Sequence, residues 1–234
     1  MRDLRIQVTA TNDAEILERL LSTRHSCRGF LRDSVDDHLI ARILSISQRT
    51  PSWCNAQPWQ VIITKGAATE RFRAALCDHI TKNPPAPDMA FPREYRGAYL
   101  ERRRACGFQL YEAVGVARGD REAYAKQGFE NYRLFGAPHV AIVTSDEALG
   151  TYGAVDCGAY LNNFLLAAQS LGVASIPQAA LASHSKFVRD HFGLGDERLV
   201  VCGISFGYED RASRANSFRT NRASLDEVVT WVED

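Results

Sequence analysis

The sequence lacks the marks of most nucleotide-handling and metal-binding proteins. No GxGxxG and no GxxxxGKS/T run occurs, so neither a tightly held Rossmann dinucleotide nor a P-loop nucleotide is supported. No CxxC pair and no HExxH is present, and His184 and His191 are seven apart without an acidic partner pattern, so no metal site is expected. Net charge is zero, from 28 basic and 28 acidic residues. A nucleic-acid or anionic-membrane partner would call for a basic excess. The most apolar run, around residues 160–168, is interrupted by Asn162 and Asn163 and is too short to span a bilayer. Nothing at the start of the chain reads as a signal peptide. The six cysteines are scattered, which predicts reduced, mostly buried thiols in a cytoplasmic protein rather than a disulfide framework.

What is present is the periodicity of one domain spanning residues 1–234. Asn12 and Glu15 have capping-box spacing before an apolar face of Ile16, Leu17, Leu20 and Leu21. A second helix is predicted from Ser34, with Leu39, Ile40, Ile43 and Leu44 buried, ending before Pro51. Residues 59–64 read as a strand. Pro84, Pro85, Pro87 and Pro92 then make the least regular stretch and lead into an Arg-rich helix over about 94–116. A cover or insertion at about 84–118 fits that segment better than a core element. Helices follow over 121–134, 152–171 and 183–192, and strands over 139–145, 173–176 and 199–206. Ser224 and Glu227 suggest a capped terminal helix. The class is α+β, a mixed central sheet flanked by helices on both faces.

Four polar segments carry candidate chemistry. Arg24, His25, Ser26 and Arg28 supply forked and short donors suited to phosphate oxygens. Pro51, Ser52, Trp53 and Asn55 form a rigid turn whose hydroxyl and amide can read a heterocycle edge. Pro177, Gln178 and Ala179 follow a strand and leave backbone N–H groups accessible. Arg219 and Arg222 add late phosphate-competent donors. Taken singly, each is as well read as a solvated loop or a packed turn. The run from Gly203 to Gly207 matches GxSxG, but no histidine follows it, which argues against a hydrolase built on Ser205.

As an ordered series, RHSCRGF, PSWCNAQPW, RRACGFQLYEAVGVARG, NNFLLAAQSLGVASIPQAAL, LVVCGISFGYED and FRTNRASLDEVV resemble the nitroreductase family, and in particular its bacterial nitroarene and nitrobenzoate reductases. The resemblance runs over nearly the whole chain. It implies the nitroreductase-like three-layer fold and an intertwined homodimer with FMN at the subunit interface. It also implies transient NADH or NADPH as reductant, with ping-pong hydride transfer through flavin N5 to a nitroaromatic or related small acceptor. No catalytic side chain is implied, because the cofactor carries the chemistry. Arg24, His25 and Ser26 match the motif lying along the ribityl phosphate, and Arg28 matches the basic residue near flavin N1 and O2. Pro51, Ser52, Trp53 and Asn55 match the stretch reaching the flavin from the other subunit. Pro177, Gln178 and Ala179 match the loop beside N5, and Arg222 the late phosphate-binding arginine. The chain departs from many relatives in having Gln178-Ala179 for a Glu-Gly pair, and Arg133 near a usual lysine. Same-fold reductases of quinones, enones or halogenated phenols, and a non-catalytic flavin-binding protein, are the alternatives.

Overall fold

A computed structural model describes residues 10–233. The signal-peptide reading rests largely on residues 1–9, which lie outside the described residues. Four strands, β1 (Gln60–Thr64), β2 (His139–Asp146), β3 (Ala174–Gln178) and β4 (Arg198–Gly207), form a sheet in the order β1-β2-β4-β3. Every pairing among them is antiparallel, which corrects the expected mixed sheet. Parallel register is confined to the single bridge between Ser26 and Ser175. The reason is topological: β4 adds between β2 and β3 and runs against both.

Period-two alternation along β2 makes the layers. Ala141 and Val143 pack with Ile40, Ile43, Cys157, Tyr160 and Phe164, so α2 (Asp37–Ser47) and α6 (Gly150–Ser170) cover that face. Val140 and Ile142 pack with Phe72, Leu76, Leu181 and Val188 of α3 (Ala67–Lys82), α7 (Ala179–Ala182) and α8 (Ser185–Phe192) on the other. The sheet is therefore buried on both sides.

Helix α3 is an element the sequence reading missed. Its burial rests on Phe72 and Leu76 at i, i+4 among charged neighbours, too sparse a stripe to stand out. Helix α1 (Ala10–Thr23) already includes Asn12, so Asn12 is not its cap. The second helix begins at Asp37, because the Ser34 hydroxyl is engaged with the ring of His139 (3.2 Å) rather than with a helix N-terminus. Helices α4 (Gly97–Ala113) and α5 (Arg121–Phe129) fill the β1–β2 connection, and α5 stops before a left-handed run at Leu134, Phe135 and Gly136. The Ser224–Glu227 capping box forms, but it caps only a 3₁₀ turn, Leu225–Glu227, and not a terminal α-helix. All six cysteines are free thiols: Cys27, Cys157 and Cys202 are buried, Cys77 and Cys106 partly so, and Cys54 is exposed. Among the described residues no helix is long and apolar enough to cross a membrane, and no side-chain group has metal-site geometry.

Candidate active site

The opening motif is threaded between the β3 edge and the exit of β4. The backbone N–H of Cys27 donates to the Ser175 carbonyl (3.1 Å), that of Leu31 to Tyr208 (2.9 Å), and Phe30 bridges to Glu209. Extended backbone alternates its side chains. Cys27 therefore points inward, fully buried beside Phe30, Phe135 and Ile176, while Ser26 and Arg28 point to the opposite face. Burial pushes the Cys27 thiol up to about 11, so it is an inert core group.

That opposite face is one wall of a cavity of about 230 Å³. Arg24, His25, Ser26 and Arg28 line it from one side, and Phe218, Arg219, Thr220 and Arg222 from the other. Cys106 of α4 lines it as well. Two sequence-distant donor segments are thus brought together. Burial, then the charge of Arg222, holds the Arg24 guanidinium below its ordinary pKa, and burial does the same for Arg28. Among the described residues none of Arg24, Arg28, Arg219 and Arg222 forms an ion pair with a carboxylate. Converging cations without a counter-charge are what an anionic ligand would complete.

Residues that were not singled out from the sequence hold these walls. The Asn216 carboxamide accepts from the Arg28 backbone N–H (2.6 Å) and donates to the carbonyls of Gly29 (2.9 Å) and Asp210 (3.0 Å). Gly29 is required there, since a Cβ would lie 2.4 Å from the Ser213 hydroxyl. Glu209 takes a 3.0 Å hydrogen bond with His25 Nε2 and fixes that ring at the rim. An asparagine amid polar loop residues carries no signal of such a role in sequence.

The third segment ends the neighbouring strand. Pro177 lies on β3, an edge strand, where a missing N–H is tolerated. Ser175 pairs with Ser26, so Pro177 and Arg28 each follow two residues further along adjacent, parallel stretches. Pro177, Gln178 and Ala179 do not line the 230 Å³ cavity. The Gln178 side chain is buried and turned inward: Nε2 donates to the Asn131 carbonyl (2.7 Å) and Oε1 accepts from the Ser205 hydroxyl. Ser205 is fully buried within β4, and Gly203 serves as the seat for Leu181, whose Cδ1 would be 2.2 Å from any Cβ there. GxSxG is here a packing device and not a nucleophile elbow.

Within one chain Pro51, Ser52, Trp53 and Asn55 also lie away from that cavity. Their turn is held in left-handed backbone at Cys54, Asn55 and Gln57, locked by the Ser52 hydroxyl accepting from Gln57 N–H (2.9 Å). Its Trp53 N–H donates to Asp156 of α6 (3.1 Å), and the indole packs on Tyr152 with centroids 5.6 Å apart. Trp53 remains 68% exposed. A larger cavity of about 680 Å³, bounded by Arg32, Arg73, Cys77 and Arg133, holds none of the predicted residues. Two of its arginines are consumed internally, Arg73 by Glu70 and two carbonyls and Arg133 by Glu130.

Comparison with known proteins identifies the family of this fold. Residues 21–208 match the Nitroreductase family. The chain is 34% identical over 220 residues to "Nitroreductase NfnB" of Mycolicibacterium smegmatis, covering 93% of each sequence. It is 30% identical to "Chloronitrobenzene nitroreductase" of Comamonas testosteroni, over 93% of this chain and 97% of that one. The crystal structure of the FMN-dependent nitroreductase NfnB from Mycobacterium smegmatis in complex with NADPH superposes with a TM-score of 0.90 at 32% identity, covering 94% of this chain and 99% of that one. With its three layers, its donor-lined cavity and these likenesses together, the chain belongs to the nitroreductase family.

Proposed function

We propose that this protein is an FMN-dependent NAD(P)H nitroreductase. The observation that carries the reading is the convergence of Arg24, Ser26, Arg28 and Arg222 on one cavity, with no carboxylate paired to these cations among the described residues. A ribityl phosphate suits that donor set, with forked guanidiniums and a short hydroxyl. FMN, when bound, supplies a two-electron carrier between the nicotinamide and the acceptor. Arg24, Arg222 and Ser26 hold the phosphate end. Arg28 brings a positive charge toward the ring edge and favours an anionic reduced cofactor. Gln178 and Ala179, after Pro177 and beside the Ser26–Arg28 stretch, offer backbone N–H groups to the ring. Relatives named for nitrobenzoate and chloronitrobenzene support a small nitroarene as acceptor.

The same reading makes the active unit a homodimer. At about 230 Å³ the single-chain cavity is below the ~300–1,000 Å³ usual for such ligands. Ile16, Leu17 and Leu21 of α1, Trp53, Tyr152 and Val155 near α6, and Trp231 near the C-terminus are all exposed in one chain. A second copy would bury them and bring its own Pro51–Asn55 turn to the flavin. Residues 84–118 are assigned as the cover of this one domain, with Cys106 at the cavity and the aromatic rings of Tyr95 and Tyr99 exposed on its outer half. Six free thiols favour a reducing, cytoplasmic setting.

The test is an absorbance spectrum of purified protein followed by anaerobic addition of NADH or NADPH and then a nitroarene. Oxidised-flavin bands that bleach and return support the enzyme. Bands that neither nucleotide bleaches would indicate a flavin-binding protein without this activity, and colourless protein that takes up no FMN would end the proposal.

A further inference from the structure

The cover is rooted in the body at one buried point. The backbone N–H of Ala86 donates to the Ser183 carbonyl (2.7 Å), and that of Asp88 to the Ser185 hydroxyl (3.1 Å). One oxygen of the Asp88 carboxylate, Oδ2, pairs with the Arg189 guanidinium and accepts from the Val200 N–H (2.9 Å). Both charged side chains are about nine-tenths buried, at 10% and 11% exposure. A second carboxylate, Asp196, stands 3.8 Å from Arg189 Nε but is itself fully exposed. Beyond Met89, residues 90–99 and 101–105 are exposed, until Arg102 meets Glu227 (2.8 Å) and Cys106 reaches the flavin-phosphate cavity.

The partners of this root are not arbitrary. Ser183 and Ser185 stand at the α7–α8 junction, immediately after the Pro177–Ala179 loop, and Val200 is on β4, the strand that pairs with that loop. The Pro-rich segment is therefore tied to the same rigid unit that would carry the N5 side of the flavin. We propose that Asp88 is a positioning residue for the acceptor. Its buried pairing with Arg189 sets where the 90–105 span departs from the body, and hence how that span lies over the flavin face. This rests on the flavin-site reading above. Asp88 touches neither cofactor nor substrate; it acts through the cover. A buried charge pair suits that task better than a surface one, because water does not compete for either partner and the geometry is held. The Arg102–Glu227 pair at the far end is half-exposed and supplies only a weak second tether.

The experiment uses the full-length holoprotein with Asp88→Asn, in which the amide still accepts from Val200 but no longer offsets Arg189. A double variant, Asp88→Asn with Arg189→Gln, removes the uncompensated charge and guards against simple misfolding. Limited trypsin treatment reads the cover directly, since Arg93, Arg96, Arg102, Arg103 and Arg104 are exposed cleavage points on it. Cleavage there is expected to be about tenfold faster in both variants, as for a segment whose local opening is favoured. KM for a nitroarene should rise several-fold with kcat within about twofold, the signature of lost uniform binding. The FMN dissociation constant should not move. Trypsin rates and KM values like those of the parent protein, in variants whose melting temperature has nevertheless fallen, would show that Asp88 only stabilises the fold and would overturn the proposal. The trypsin arm needs no flavin, so colourless protein would count against the enzyme reading while leaving this arm to judge Asp88.

Discussion

Arg24 and Arg222 line one cavity as like charges, and Arg222 is the second cause, after burial, of the lowered pKa of Arg24. Such a pair repels until an anion arrives. Arg222→Ala should therefore weaken FMN binding about 10–100-fold, the loss of a charge-assisted hydrogen bond of roughly 1.5–3 kcal/mol. Riboflavin, which has no phosphate, should bind as before, and the melting temperature of the FMN-free protein should not fall. Fluorescence titration with both ligands measures this. An equal loss for riboflavin would place Arg222 elsewhere on the cofactor.

Arg28 makes a different kind of contact. Its backbone is fixed by Asn216, and its guanidinium lies 5.6 Å from the centre of the Phe218 ring in a largely buried setting. Replacement by Ala removes positive charge beside the ring edge. The bound flavin's midpoint potential should shift on the order of 30–60 mV more negative, corresponding to about 1.5–3 kcal/mol for a two-electron couple. Arg28→Lys should recover most of the shift. Spectroelectrochemistry decides; an unchanged potential in Arg28→Ala would remove its assigned role.

Gln178 bridges a donor and an acceptor, which an ionised carboxylate cannot do because it only accepts. Gln178→Glu, which introduces the acid many relatives carry, would set a carboxylate against the Asn131 carbonyl. The expected cost is about 1–3 kcal/mol for the buried clash and the lost bond. Since the folded protein should favour the neutral acid, its folded-state pKa is raised. The destabilisation then grows as pH rises through the unfolded value of ~4.3 and onward to the folded one. Chemical denaturation at pH 5 and pH 8 should show a larger loss at pH 8.

His139 is fully buried and neutral in the folded protein. Nε2 accepts from the Val35 N–H (3.0 Å), and Nδ1 faces the Thr64 carbonyl (3.2 Å), which fixes one tautomer. Burial, the leading cause, lowers its pKa, as it lowers those of His184 and His191. The unfolded chain therefore binds protons that the folded chain refuses. Stability from these groups is complete above the unfolded value of ~6.5 and declines as pH falls below it, toward the lowered folded values. Thermal melts should hold level from pH 7 to 8 and fall below pH 6.5. His139→Gln should lower stability at pH 8 and flatten part of the acid slope; an undiminished slope would assign it to other groups.

Tyr152 and Val155 are 66% and 60% exposed on α6, beside Trp53. If a second copy covers them, Tyr152→Glu with Val155→Asp should yield monomers in sedimentation velocity and a protein that loses FMN on dilution. A dimer that persists with unaltered FMN affinity would move the seam to another face.

The sequence alone determined that the sheet is covered on both faces, though not that α3 makes part of one layer. Ala141 and Val143 alternating with Val140 and Ile142, and the all-round apolar α6, admit only a sheet buried on both faces. It also determined which segments bear donors, because Arg24–Arg28 and Arg219–Arg222 owe their chemistry to residue type. Only the tertiary structure decided the direction of the strands and the fate of each polar side chain. Strand direction depends on how β4 inserts between β2 and β3, a long-range pairing that local pattern does not encode. Gln178, singled out in sequence for its backbone, spends its side chain on Asn131 and Ser205, while Asn216 and Asp88, silent in sequence, hold the cavity wall and the root of the cover. A side chain's capacity to hydrogen-bond is local, but its partner is chosen by distant chain folding back upon it.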